Sequence, residues 1–274
     1  MARDLAELRP LRVVFTLPGM ENARVTKDVV YKSVDSVDLT MDIYRPENTA
    51  SAEPLPAVML VSGTGPWDVL RDIKEWGTYV SYGQLIAATG LVAVNFTHRS
   101  PAAPLNLNAV AEGVDDAVAY VRSEAVSLGI EADRLAFWAF SGGPPFGFRT
   151  ALRDTPEYIR CLVSYYGVLD YPHVRDEMGF SSEEDPDEFS PAQYLEQPDR
   201  SFPPMFVMKA GRDQPWLNEA IDRFVSAALS ANATLDLMTH PEGRHSFDIL
   251  DDDARSRQIV DRTLRFLVEH LTAR

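Results

Sequence analysis

The sequence of 274 residues holds a single cysteine, Cys161. One thiol cannot close an intramolecular disulfide, so nothing here is a stapled secreted scaffold. Cys161 sits inside the apolar run CLVSYYGVL and reads as a small core residue. No run of about 20 apolar residues occurs, which excludes a helix that spans a membrane. The N-terminal stretch MARDLAELRPLRVVF mixes charges among its apolar residues and lacks the continuous apolar segment of a signal peptide, so a cytoplasmic protein is expected. Positive charge is in deficit: 26 Lys and Arg stand against 41 Asp and Glu, a net charge of -15. Nucleic acid and anionic membrane surfaces would repel such a chain and are not expected as partners. Solubility is the ordinary use of this charge. Repeats and low-complexity segments are also missing.

What is present is a regular alternation. DVVYKSV and VDLTMDIYRP read as an opening antiparallel pair of strands. PAVMLVSG, GLVAVNF, RLAFWAF, CLVSYYGV, PMFVMKAG and ATLDLMTH are short apolar runs of the kind that buried parallel strands carry. Helical patterns fill the gaps. Val110, Val114, Val118, Val121 and Leu128 share one face, opposite Glu112, Asp115, Asp116 and Arg122. Near the end, Val260, Leu264, Leu267 and Leu271 form one stripe behind the acidic run Asp251 to Asp253, read as capping and solvation. The expected fold class is α/β: one domain over residues 1–274, with a mostly parallel eight-stranded sheet and helices on both faces. The polar, acidic stretch from about 170 to 201 breaks the rhythm and is expected to be a small cap-like insertion.

The run RLAFWAFSGGPPFG ends a strand on Ser141 and then removes bulk. Ala139-Phe140-Ser141-Gly142-Gly143 has the small-x-Ser-x-small spacing of a nucleophile elbow, a strand-to-helix turn so sharp that large neighbours would clash. Pro144 and Pro145 suit the first turn of the following helix, where N–H groups have no internal partner. An ordinary turn with an incidental serine would give the same short match, so the weight comes from chain order. A serine nucleophile in this architecture wants an acid after a later strand and a histidine after the last one. Asp213 follows the strand in MFVMKAGRDQPW, and His245 lies in HPEGRHSFD between the last strand and the last helix.

The chain has five histidines. His98 precedes Ser141, His240 sits at a strand end, His270 falls in the last helical turn, and His173 lies in the insertion, where it could touch substrate. Asp170 also follows a strand, but Asp213 stands on the strand next before that of the histidine and is favoured. Asp248 and Asp251 read as caps of the terminal helix. The oxyanion hole is expected from the N–H of Gly142 and from the loop SGTGPW after an earlier strand, at Gly63 and Thr64. Trp67 and Trp216, in loops at strand ends, are expected to line a pocket; Phe146 reads as core.

These residues resemble the α/β-hydrolase superfamily, most nearly its small acetyl and feruloyl esterases and dienelactone-hydrolase-like proteins. DVVYKSVDSVDLTMDIYRPE is similar to the opening hairpin of that group, SPAQYLEQPDRSFPPMFVMKAGRD to its run into the acid, and EGRHSFD to its histidine loop. The chain departs from the frequent His-Gly-Gly-Gly loop at Ser62 and Thr64, and it has Phe140 where some relatives have an acidic residue. The resemblance implies a serine carboxylesterase acting on a small-molecule ester, with no metal and no organic cofactor. The alternatives left open are a peptidase or amidase, a lactone hydrolase, or a non-catalytic binding protein of the same fold. A homodimer is compatible with all of them.

Overall fold

The computed structural model describes residues 5–47, 54–99, 106–175, 186–197 and 200–273. Among the described residues there are eight strands: β1 (Arg24–Val34), β2 (Val37–Arg45), β3 (Leu55–Val61), β4 (Val92–Phe96), β5 (Ile130–Phe140), β6 (Ile159–Tyr165), β7 (Met205–Ala210) and β8 (Leu235–His240). They form one sheet in the order β1-β2-β4-β3-β5-β6-β7-β8. The β1–β2 and β2–β4 pairs are antiparallel, and the five pairs from β4 to β8 are parallel.

Period-two alternation divides the apolar residues between two faces. Met59, Val61, Phe137 and Ala139 join one core cluster, while Val58, Leu60, Trp138 and Phe140 join the other. Helices α2 (Leu107–Ser123), α3 (Pro144–Asp154) and α4 (Pro215–Ser230) cover the first face through Val110, Phe148 and Phe224. Helices α1 (Gly77–Ala88) and α5 (Ala254–Thr272) cover the second through Leu85 and Leu267. Both faces being covered is what lets the central strands be apolar throughout. Cys161 and Phe146 are buried in this core.

Three local expectations change. The helix carrying Val110 to Val121 stops at Ser123, and Leu128 closes a separate short helix, Ala125–Leu128, which ends on Gly129 in the left-handed region. Asp248 does not cap the terminal helix: it is fully buried, accepting from Tyr82 at 2.6 Å and Tyr166 at 2.8 Å. Asp251 does not cap it either, because its carboxylate takes the backbone N–H and guanidinium of Arg244. The cap is Asp253, which accepts from the N–H of Ser256 at 2.8 Å.

The described parts of the insertion are short helical pieces at Tyr171–Val174, Pro186–Phe189 and Pro191–Leu195. They pack on α3 and α4. Among the described residues no helix is long and apolar enough to cross a membrane.

Candidate active site

Sheet register brings the site residues together. Val61 is the partner of Ala139, Phe140 of Tyr165, Tyr165 of Met208, and Ala210 of His240. The carboxyl ends of β3, β5, β6, β7 and β8 therefore share one edge of the sheet, the edge where open parallel sheets bind ligands. Ser62 to Thr64, Ser141, Tyr166, Asp213 and His245 all follow these ends.

Ser141 has φ 53°, in the left-handed region that non-glycine residues avoid. Three backbone bonds hold it there: its N–H donates to Tyr165 O at 3.1 Å, Val168 N–H donates to its carbonyl at 2.8 Å, and Gly143 N–H donates back to Phe140 O at 2.8 Å. Gly143 is needed because a Cβ there would lie 2.6 Å from Val61 O and 2.8 Å from Ser62 O. The crowding on this side of the elbow thus comes from the end of β3. Pro144 and Pro145 occupy the first turn of α3, as their missing N–H groups allow.

The hydroxyl of Ser141 lies 3.1 Å from His245 Nε2, and His245 Nδ1 lies 2.6 Å from Asp213 Oδ2. The Asp213 carboxylate can only accept, so Nδ1 carries the proton and Nε2 is left as the acceptor for the serine hydroxyl. Asp213 is almost wholly buried, whereas His245 is 38% exposed and open to solvent. The two loops are tied together: Gly211 N–H donates to His240 O at 2.8 Å, and Arg212 N–H donates to Gly243 O at 2.9 Å. A Cβ on Gly211 would stand 2.3 Å from Pro241 O, so only glycine permits this approach.

The loop after β3 lies against the elbow. A Cβ added to Gly63 would meet Ser141 Cβ at 3.2 Å and Gly142 N at 3.5 Å. One added to Gly142 would meet Thr64 Oγ1 at 2.6 Å and Thr64 N at 3.1 Å. The backbone of Gly63, Thr64 and Gly142 thus lies close beside the serine.

Other expected residues fall elsewhere. Asp170 pairs with Arg223 at 2.6 Å, away from the imidazole. His240 is buried with its Nε2 3.1 Å from Asp253 and from Ser256, and His270 packs on Phe266. His173 meets Glu219 at 3.2 Å. Trp67 and Trp216 are half-buried against the core, and both belong to helices, Trp67 opening the short helix Trp67–Leu70 and Trp216 standing in the first turn of α4.

The family model described as BD-FAE matches residues 41–167, a span that contains the β3 loop and Ser141 and stops short of Asp213 and His245. A thermophilic esterase from the planctomycete Thermogutta terrifontis, Est2, superposes with a TM-score of 0.73 at 21% identity, covering 98% of this chain and 99% of that one. The butyrate-bound form of that esterase gives 0.71 at 20% identity over 94% and 98% of the two chains. Its form phosphorylated by paraoxon gives 0.70 at 20% over 93% and 97%. No curated protein matches the sequence. The chain has the α/β-hydrolase fold.

Two residues beside this candidate site escape sequence reasoning. Tyr166, at φ 39°, lays its ring 4.6 Å from the His245 imidazole. Its hydroxyl reaches Asp248, whose carboxyl is pushed up by burial. His98, passed over because it precedes Ser141, sits behind the β3 loop with Nε2 3.0 Å from Ser62 Oγ. Burial pushes its pKa down. Only the tyrosine left a trace in the sequence, as a residue directly after an apolar run.

Proposed function

We propose that the protein is a serine carboxylesterase that hydrolyses small esters with short acyl chains. The observation that carries this reading is the strained serine bonded to an imidazole that is itself bonded to a buried carboxylate. Ser141 Oγ attacks the ester carbonyl while its proton passes to His245 Nε2. Asp213 holds the imidazole tautomer and offsets the positive charge that forms. The N–H groups of Gly142, Gly63 and Thr64 receive the oxyanion. Collapse of the intermediate expels the alcohol with the proton from His245. Water then attacks the acyl-enzyme by the same route in reverse and releases the acid.

Several features support the short-chain preference. Trp67 and Trp216 follow in sequence the loops that carry the oxyanion donors and Asp213, and rings of that size lining a pocket leave little room for a long chain. The insertion from 170 to 201 is acidic and broken by Pro172, Pro186, Pro191 and Pro198, unlike an amphipathic lipase lid. The net charge of -15 disfavours anionic esters. The similar esterase Est2 has been seen with propionate and with butyrate.

A fluorophosphonate probe and a series of nitrophenyl esters from acetate to palmitate test the proposal. Stoichiometric labelling that Ser141→Ala abolishes, and a maximum catalytic efficiency at short acyl chains, are expected. An unlabelled wild-type protein overturns the hydrolase reading. A maximum at twelve carbons or more, or a jump in rate at an oil–water interface, overturns the short-chain preference alone. Faster turnover of aminoacyl amides than of any ester makes the protein an amidase instead.

A further inference from the structure

The β3 loop begins at Ser62, and the peptide joining Ser62 to Gly63 opens the stretch of backbone that lies against Ser141. Ser62 is buried, and so is the imidazole behind it, His98, which comes from the end of β4. His98 Nδ1 lies 3.0 Å from the carbonyl oxygen of Arg99. His98 Nε2 lies 3.0 Å from Ser62 Oγ and 3.2 Å from Ser62 O, the carbonyl of that same peptide.

A neutral imidazole has one N–H to give. With the proton on Nδ1, the ring donates to Arg99 O and accepts from the Ser62 hydroxyl, the shorter of the two contacts of Nε2. With the proton on Nε2, Arg99 O would face a lone pair and the serine hydroxyl would lose its acceptor. Burial disfavours the doubly protonated ring. The first arrangement therefore holds: Nδ1–H to Arg99 O, and Ser62 Oγ–H to Nε2.

The surroundings are shaped for this ring. Phe96 and Phe146 flank it with centroids 6.1 and 6.4 Å away. Helix α2 passes at Gly113, where a Cβ would crowd Arg99 N at 3.3 Å and His98 Cβ at 3.5 Å. Glycine is a poor residue for a helix interior, and here it leaves the His98 loop its room.

We infer that His98, acting through Ser62, is a positioning residue that fixes the β3 loop in the geometry needed to bind the oxyanion. The inference rests on the esterase reading, in which Gly63 and Thr64 supply oxyanion donors. The Ser62 hydroxyl is anchored at one point, and the ring stands directly behind the carbonyl of the Ser62–Gly63 peptide. Through that anchor Ser62, and with it the start of the β3 loop, stays in place when charge develops beside it. An interaction of this kind acts in the transition state and not on the bound ester, so its loss lowers kcat and leaves KM in place.

The test compares His98→Asn, His98→Gln and Ser62→Ala with the wild type. A glutamine amide reaches the place of Nε2, whereas an asparagine amide reaches only the place of Nδ1. Active sites are first counted with a fluorophosphonate probe, and folding is checked by thermal melting. Expected are a fall in kcat of roughly ten- to a hundredfold for His98→Asn and for Ser62→Ala with KM within about twofold, since small misplacements at a reacting centre have effects of this size. Inhibition by a trifluoromethyl ketone, which forms an oxyanion on the serine, should weaken by the same factor. His98→Gln should recover most of the loss, and the double variant should lose no more than either single one. Unchanged kcat in Ser62→Ala, which removes one hydroxyl and keeps the fold even if His98→Asn does not, overturns the inference; so does a loss confined to KM, or an additive double variant. A wild-type protein that neither labels nor turns over ester refutes the esterase reading instead.

Discussion

The ring of Tyr166 lies 4.6 Å from the imidazole of His245, centroid to centroid, while its hydroxyl donates to Asp248 at 2.8 Å. Tyr82 donates to the other oxygen of the same carboxylate at 2.6 Å. A second, fully buried carboxyl group therefore stands beside the histidine loop and accepts from two tyrosines. Burial pushes it up, against the pull of the two hydroxyls and of His245. A carboxyl whose folded value is raised stabilises the fold while protonated; its contribution is complete below the unfolded value, about 3.9 for aspartate, and is lost as pH rises through the folded value.

Asp248→Asn removes that ionisation and leaves groups able to bond both tyrosines. The stability of the variant minus that of the wild type should rise as pH rises above about 4. Carboxyls held down by their partners, such as Asp28, Asp154 and Asp253, pull stability the other way, but they are present in both proteins and cancel in the difference. Urea unfolding at several pH values measures it. A difference that falls as pH rises would mean that the fold holds Asp248 as a favoured anion.

Ser141 stores backbone strain at φ 53°. Ser141→Ala and Ser141→Gly should each lose at least about a thousandfold in esterase rate. They should differ in stability, because alanine keeps the Cβ that the left-handed region penalises and glycine does not. The glycine variant is expected to be the more stable by about 1 kcal/mol. Thermal melting compared between the two tests this, and equal stabilities would remove the strain from the account.

Asp213 and Asp170 both follow strands, and the structure gives them different neighbours. Asp213→Asn should lower kcat by about a thousandfold or more, since the imidazole loses the acceptor that sets its tautomer. Asp170→Asn breaks the pair with Arg223, whose side chain is 63% exposed. It should cost about 1 kcal/mol of stability and leave turnover within a few-fold of wild type. Steady-state kinetics and denaturant melts on both variants decide, and a reversed ranking of the two rates would reassign the acid.

Gly211→Ala should damage the site without touching any reacting group. The new Cβ meets a backbone oxygen, Pro241 O, at 2.3 Å, so the β7 and β8 loops must separate. Asp213 and His245 ride on those two loops. A loss of about a hundredfold in kcat is expected from misalignment at this scale, together with a lower melting temperature. Wild-type kinetics in this variant would show that the loops have slack.

The sequence by itself determined the strands of the sheet and the three residues joined at its edge. The central strands β3 to β7 are short apolar runs, and burial on both faces demands such runs. Ser141 was legible because the elbow requires small residues at fixed spacing around it. Asp213 and His245 were legible because parallel strands connected in order set their loops along one edge in order. Asp248 and His98 were decided only by the tertiary structure. Asp248 looks like a cap when read beside the terminal helix, yet its partner Tyr82 is 166 residues away. His98 looks misplaced when read by chain order, yet the sheet sets β4 beside β3 and brings it to Ser62, 36 residues earlier. Periodicity and spacing report how a residue stands to its own element. Which polar groups a buried side chain meets depends on how distant elements pack, and no local pattern in the sequence carries that.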